Sequence, residues 1–136
     1  MSFSKNHWLI LFSLSLLLVG CDQKARLRDG DLYGVWAQDA SGNGKACLIL
    51  ETNNVVVFES VRAKDIALST ENLSAELPHN GYWSLNNKSG VVTLRFIFQG
   101  VTYDHSGMLV LTKGEPVLSF VIGDPDMHEM VNFKKR

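Results

Sequence analysis

The sequence predicts an all-β domain: a small antiparallel up-and-down barrel of about eight strands, with a two-sheet sandwich as the alternative. Two observations carry this. From Leu32 onward the apolar runs are short and are separated by Gly, Asn, Asp and Pro at regular intervals, the pattern of strands joined by tight turns. Within the runs apolar and polar residues alternate: Val92, Leu94, Phe96 and Phe98 share one face, while Thr93 and Arg95 take the other. A period of two places one face in a core and the other in water. About eight such runs can close on themselves and leave no exposed edge, although periodicity alone does not separate a barrel from a sandwich.

Taken in order, Gly34 to Gln38 is the first strand, ended by the polar loop Asp39 to Gly44. Lys45 to Glu51 and Val55 to Val61 flank a connection at Thr52-Asn53-Asn54, and Gly81 to Leu85 and Val91 to Phe98 flank another at Asn86 to Gly90. Met108 to Thr112 and Val117 to Ile122 flank Lys113 to Pro116, and Met130 to Lys134 follows the turn Gly123 to Asp126. One stretch breaks the pattern. Ser69-Thr70 offers a helix N-cap, Glu71 to Leu77 holds helix formers and Pro78 stops it. One short helix or ordered loop near 69–77, crossing an end of the barrel, is expected there.

Composition limits what the domain can be. A chain of 136 residues has room for one core. With 13 basic and 14 acidic residues the formal charge is −1. That leaves no basic stripe to neutralise phosphates, so no nucleic-acid partner is expected. The two cysteines do not make a disulfide framework. The sequence shows no internal repeat and no low-complexity segment.

The first 20 residues are of another kind. Lys5 supplies a cation, Trp8 to Val19 is a 12-residue run broken only by Ser13 and Ser15, and Gly20-Cys21 follows. A helix needs roughly 20 apolar residues to cross a bilayer, so the layout is that of a secretory signal. Leu18-Val19-Gly20-Cys21 resembles the bacterial lipobox. The resemblance implies a diacylglycerol group on the Cys21 thiol, cleavage after Gly20 and an acyl chain on the freed amine. No other cofactor is expected. The aspartate at Asp22 resembles the enterobacterial signal for retention in the inner membrane; the outer membrane stays open as the alternative. The expected organisation is a signal peptide at 1–20, a lipidated cysteine and tether at 21–31, and a barrel at 32–136, held on the periplasmic side of the membrane. Removing residues 1–20 deletes one lysine and no acid and leaves a formal charge of −2. The tether spans at most about 35 Å at roughly 3.3–3.6 Å per residue.

Within the barrel, Gly34-Val35-Trp36 resembles the Gly-x-Trp signature of lipocalins. That family is an eight-stranded barrel whose Trp lies at the closed end beneath a cationic side chain near the C-terminus. The resemblance implies that cation to be Lys134 or Arg136. Asp39, Ser41, Asn43 and Gly44 match half of a calcium loop, but its twelfth position is Leu50 where a bidentate Glu is needed, and strands flank it in place of helices. Asp124, Asp126, His128 and Glu129 crowd four polar side chains into six residues, first of all as a turn; no metal is expected. Asp104-His105-Ser106 has the residue types of a hydrolase triad, but neighbours on a strand face opposite ways. With no nucleophile elbow, phosphate loop or dinucleotide fingerprint in the chain, an enzyme is not expected. Cys47 is read as a small hydrophobe on the barrel wall.

The functional expectation is a non-catalytic, membrane-anchored protein that binds a protein partner, of inhibitor or immunity type. Asp124, Asp126 and Glu129 supply an acidic rim, and Trp83, beside Tyr82, an aromatic anchor. Small lipidated barrels that inhibit lysozyme are similar in size and layout, but their paired cysteines and Ser-Gly-rich strand are missing here. The alternative is a lipocalin-like carrier of one small apolar molecule, which needs a cavity of roughly 300 Å³ or more.

Overall fold

The computed structural model describes residues 28–39, 44–122 and 129–136. The lipobox at 18–21, Asp22, Ser41, Asn43, Asp124, Asp126 and His128 lie outside these residues. Eight strands follow in order: β1 Gly34–Gln38, β2 Cys47–Leu50, β3 Val55–Glu59, β4 Asn80–Asn86, β5 Val91–Phe98, β6 Val101–Thr112, β7 Glu115–Val121 and β8 Met130–Lys135. Each pairs antiparallel with the next, and β8 returns to β1 through Trp36↔Lys135, Ala37↔Lys134 and Gln38↔Phe133. The sheet is therefore a closed up-and-down barrel, which sets aside the sandwich.

The alternation read in the sequence sets the wall. On β5, Val92, Leu94, Phe96 and Phe98 are buried while Arg95 and Ile97 are exposed. Two of the hairpins turn on residue pairs with positive φ, Gln99-Gly100 between β5 and β6 and Lys113-Gly114 between β6 and β7, the geometry that matches the twist of the flanking strands. β6 starts seven residues before the expected Met108. Its extra inward positions are Tyr103, His105 and Gly107, which do not form an apolar run, so the period was invisible there.

Both barrel ends are covered. At one end α1 (Asp29–Leu32) lies across the opening with Leu32 fully buried. Asp29 to Asp31, which the sequence assigns to the tether, are thus folded. The Trp36 Nε1–H donates to Leu32 O at 2.8 Å, and the Lys135 ammonium donates to Asp31 O at 3.0 Å. The cation in register with Trp36 is Lys135, not Lys134 or Arg136. Lys134 stands opposite Ala37, on the other face of the strand, and Arg136 contributes its backbone N–H to Val35 O.

At the other end segment 61–77 folds over the barrel, with Val61, Ala63, Ile66, Leu68 and Leu77 buried. Its helical part is a 3-10 turn at Ala63–Ile66 and not a helix at 69–77. The physical reason is where the backbone bonds go. Ala63 N–H donates to Ala75 O, Lys64 N–H to Leu73 O and Leu77 N–H to Val61 O, so residues 73–77 pair back onto 61–64 and form an ordered loop. The Asp65 carboxylate accepts from Arg62 N–H to start the turn, and Ala67 at φ 57° ends it.

Between these covers a buried apolar cluster lines the interior. Trp36, Leu48, Leu94, Leu118, Phe120 and Phe133 have no exposed surface, and Phe120 meets Phe133 edge-on at 5.9 Å. Among the described residues no buried side-chain nitrogen or oxygen lacks a hydrogen-bond partner.

A candidate binding groove on the outer wall

Among the described residues, two depressions lie on the outer wall of the barrel. Three strands shape them. Tyr82 on β4, Arg95 on β5 and Asp104 on β6 stand in one register row, and Ser84, Thr93 and Ser106 form the next. The rows flank two adjoining depressions. One, of about 380 Å³, is lined by Pro78, Asn80, Gly81, Tyr82, Arg95, Phe96, Ile97 and Thr102. The other, of about 470 Å³, is lined by Tyr82, Trp83, Ser84, Thr93, Arg95, Asp104 and Ser106. Tyr82 and Arg95 belong to both and form the ridge between an apolar end and a hydroxyl-rich end.

The ridge is built by electrostatics and backbone contact. Arg95 Nε and Nη2 donate to the two Asp104 carboxylate oxygens at 2.6 and 2.9 Å, a bidentate pair on neighbouring strands. That hydrogen bonding, with the opposite charge, holds the Asp104 carboxyl below its ordinary range and the Arg95 guanidinium above its own. Gly81 lets β5 approach closely: a Cβ at position 81 would lie 2.5 Å from Arg95 O and 3.0 Å from Phe96 Cβ. The hydroxyl end includes a contact between Thr93 Oγ1 and Ser106 Oγ at 3.4 Å.

The residues chosen from the sequence are dispersed. Trp83 is corrected: it is only 2% exposed and anchors no partner, because its neighbour Tyr82, 64% exposed, takes the outward position. The Trp83 Nε1–H donates to Glu51 O at 3.0 Å and its ring meets Tyr33 edge-on at 5.9 Å, so it secures the β2–β3 turn. Glu129 is exposed before β8, where its carbonyl accepts from Ile122 N–H at 2.8 Å; Asp124 and Asp126 lie outside the described residues. Cys47 is buried and has no disulfide partner among the described residues. Asp104, His105 and Ser106 do not converge. Asp104 pairs with Arg95 and Ser106 with Thr93 on the outside, while His105 turns inward to stack on Phe120 and hydrogen-bond Ile66 O. Burial lowers the His105 imidazole below its ordinary pKa, and the bond to Ile66 O opposes that only in part. Among the described residues no three His, Cys, Asp or Glu side chains gather as metal ligands.

Sequence reasoning missed Arg95 and Ile97 as site residues. The available clue was Ile97 itself, an apolar residue at an outward position between inward Phe96 and Phe98, now 66% exposed. Comparison with family models, with curated proteins and with solved structures finds no match to this chain.

Proposed function

We propose that this protein is a non-catalytic binding barrel, anchored by lipids on Cys21 to the periplasmic face of a bacterial membrane, the inner one by virtue of Asp22. Its ligand is one small apolar molecule. The observation that carries the ligand reading is the depression of about 380 Å³ on the outer wall, lined by Pro78, Tyr82 and Ile97 together with Arg95. Its volume falls in the range of small-molecule sites, which combine apolar walls with a few polar groups that orient the ligand. The site differs from a lipocalin's in lying on the outer wall and not along the axis.

The test compares organic extracts of the full chain isolated from its own membranes with extracts of an Ile97→Glu variant, by mass spectrometry. An apolar compound present with the wild type and depleted at least fivefold with the variant supports the reading. Equal extracts overturn it.

A protein partner, of inhibitor or immunity type, is the second reading. What favours it is that Tyr82 and Ile97 are both more than half exposed on one wall beside Arg95, and Tyr and Arg are enriched where partners bind. A photo-cross-linker at Tyr82 that yields one discrete protein adduct in intact cells selects this reading over the first.

A further inference from the structure

The barrel is electrically lopsided along its axis. The end bearing α1 also carries the β2–β3, β4–β5 and β6–β7 turns and the C-terminus. Among the described side chains at this end are six cations, Arg28, Lys88, Lys113, Lys134, Lys135 and Arg136, against four carboxylates, Asp29, Asp31, Glu51 and Glu115. At the far end the described residues reverse the balance, with six carboxylates, Glu71, Glu76 and Glu129 among them, to three cations.

The cationic end also has an apolar projection. The β5–β6 ladder ends at Met108↔Val91, with Leu109 N–H donating to Gly90 O just past it; beyond Leu109, Val110↔Val117, Leu111↔Pro116 and Thr112↔Glu115 continue with β7 alone. The hairpin therefore runs on past β5 by about 10 Å, at roughly 3.4 Å per residue. Its tip exposes Val110 (43%) and Leu111 (56%) beside Lys113. Apolar side chains on a structured projection, at an end where cationic side chains outnumber anionic ones, match a surface of negative headgroups over hydrocarbon.

We infer that the β6–β7 hairpin tip and the cations at this end dock this barrel on an anionic bilayer. The inference rests on the lipid-anchor reading in one respect: Arg28 follows Cys21 by seven residues, which span at most about 25 Å. An anchor at Cys21 therefore keeps this end, and not the acidic one, within reach of lipid. Docked this way, the barrel turns segment 61–77 away from the membrane and leaves the groove on β4–β6 on its flank.

The test uses the full chain from its native membranes, reconstituted into vesicles of phosphatidylcholine with and without 30% phosphatidylglycerol. An environment-sensitive fluorophore is placed by Leu111→Cys or, at the far end, by Leu73→Cys, both exposed positions. Docking is supported if iodide quenches the label at 111 at least about threefold less than that at 73 on anionic vesicles, and if Lys113→Glu with Lys134→Glu removes the difference. Equal quenching at the two positions overturns it. Protection at 111 that is the same without anionic lipid points to a second copy of the chain and also overturns it. The mass of the Cys21 peptide is measured on the same sample. An acylated peptide with equal quenching defeats docking alone. An unmodified peptide with protection on anionic vesicles defeats the anchor and leaves docking standing, and an unmodified peptide with equal quenching defeats both.

Discussion

Gly107 on β6 lies beside Phe120 of the neighbouring strand β7 so closely that a Cβ at position 107 would fall 2.7 Å from Phe120 Cε1 and 3.0 Å from Ser119 O. The ring cannot retreat, because it stacks on His105 on one side and meets Phe133 on the other. Overpacking of a filled core costs about 1–3 kcal/mol, so Gly107→Ala lowers stability by that amount in urea unfolding. Gly107→Ala combined with Phe120→Leu recovers part of the loss relative to the sum of the single changes. Strict additivity of the two would show that the contact is not the cause.

The closed end depends on one buried donor. Trp36 has no exposed surface, and its indole N–H satisfies Leu32 O. Trp36→Phe removes that donor, strands a buried carbonyl and leaves a void, together about 2–4 kcal/mol. Leu32→Ala damages the same lid without touching the hydrogen bond to the backbone carbonyl, so its loss comes from packing alone. Amide exchange separates the two: Trp36→Phe speeds exchange in β1 and β8 as well as in α1.

His105 makes stability depend on pH. In the unfolded chain the imidazole takes up its proton near pH 6.5; in the folded barrel burial lowers that value. Between the two, the unfolded state binds more protons, so stability is fully present above about pH 6.5, declines as the pH falls through it, and stops declining below the folded value. His105→Gln keeps an N–H donor for Ile66 O and removes the titration. Urea midpoints measured from pH 7.5 to 4.5 therefore fall for the wild type and flatten for the variant at the acidic end of that range. Parallel curves would remove His105 as the cause.

Most of the barrel was legible because an inward face of ordinary hydrophobes has a period that needs no structure to see. β1 and β5 have the expected bounds for this reason. β6 did not, since Tyr103, His105 and Gly107 line the core as an aromatic ring, an imidazole and an absent side chain. Of the two forms open at 69–77, the ordered loop prevails over the helix because residues 73–77 bond back to 61–64, a competition that local propensity does not register. The groove was less legible still. A depression formed between three strands depends on register, and neither the Arg95–Asp104 pairing nor the approach allowed by Gly81 is written in any local pattern.

Tyr82 and Trp83 turn that point into an experiment, because adjacent aromatics on one strand serve opposite faces. Trp83 is buried and holds Glu51 O, so Trp83→Ala costs about 3–5 kcal/mol. Tyr82 stands 64% exposed between the two depressions, where substitution shifts stability by no more than about 0.5 kcal/mol. If the wall is the binding surface, Tyr82→Ala leaves the unfolding midpoint unchanged and depletes the compound recovered in the organic extract by at least about fivefold. Arg95→Met, which breaks an exposed ion pair and keeps the aliphatic stem, likewise leaves the fold intact, and it lowers recovery only if the guanidinium helps orient the ligand. A Tyr82→Ala protein that yields the wild-type extract at wild-type stability would move the site off this wall.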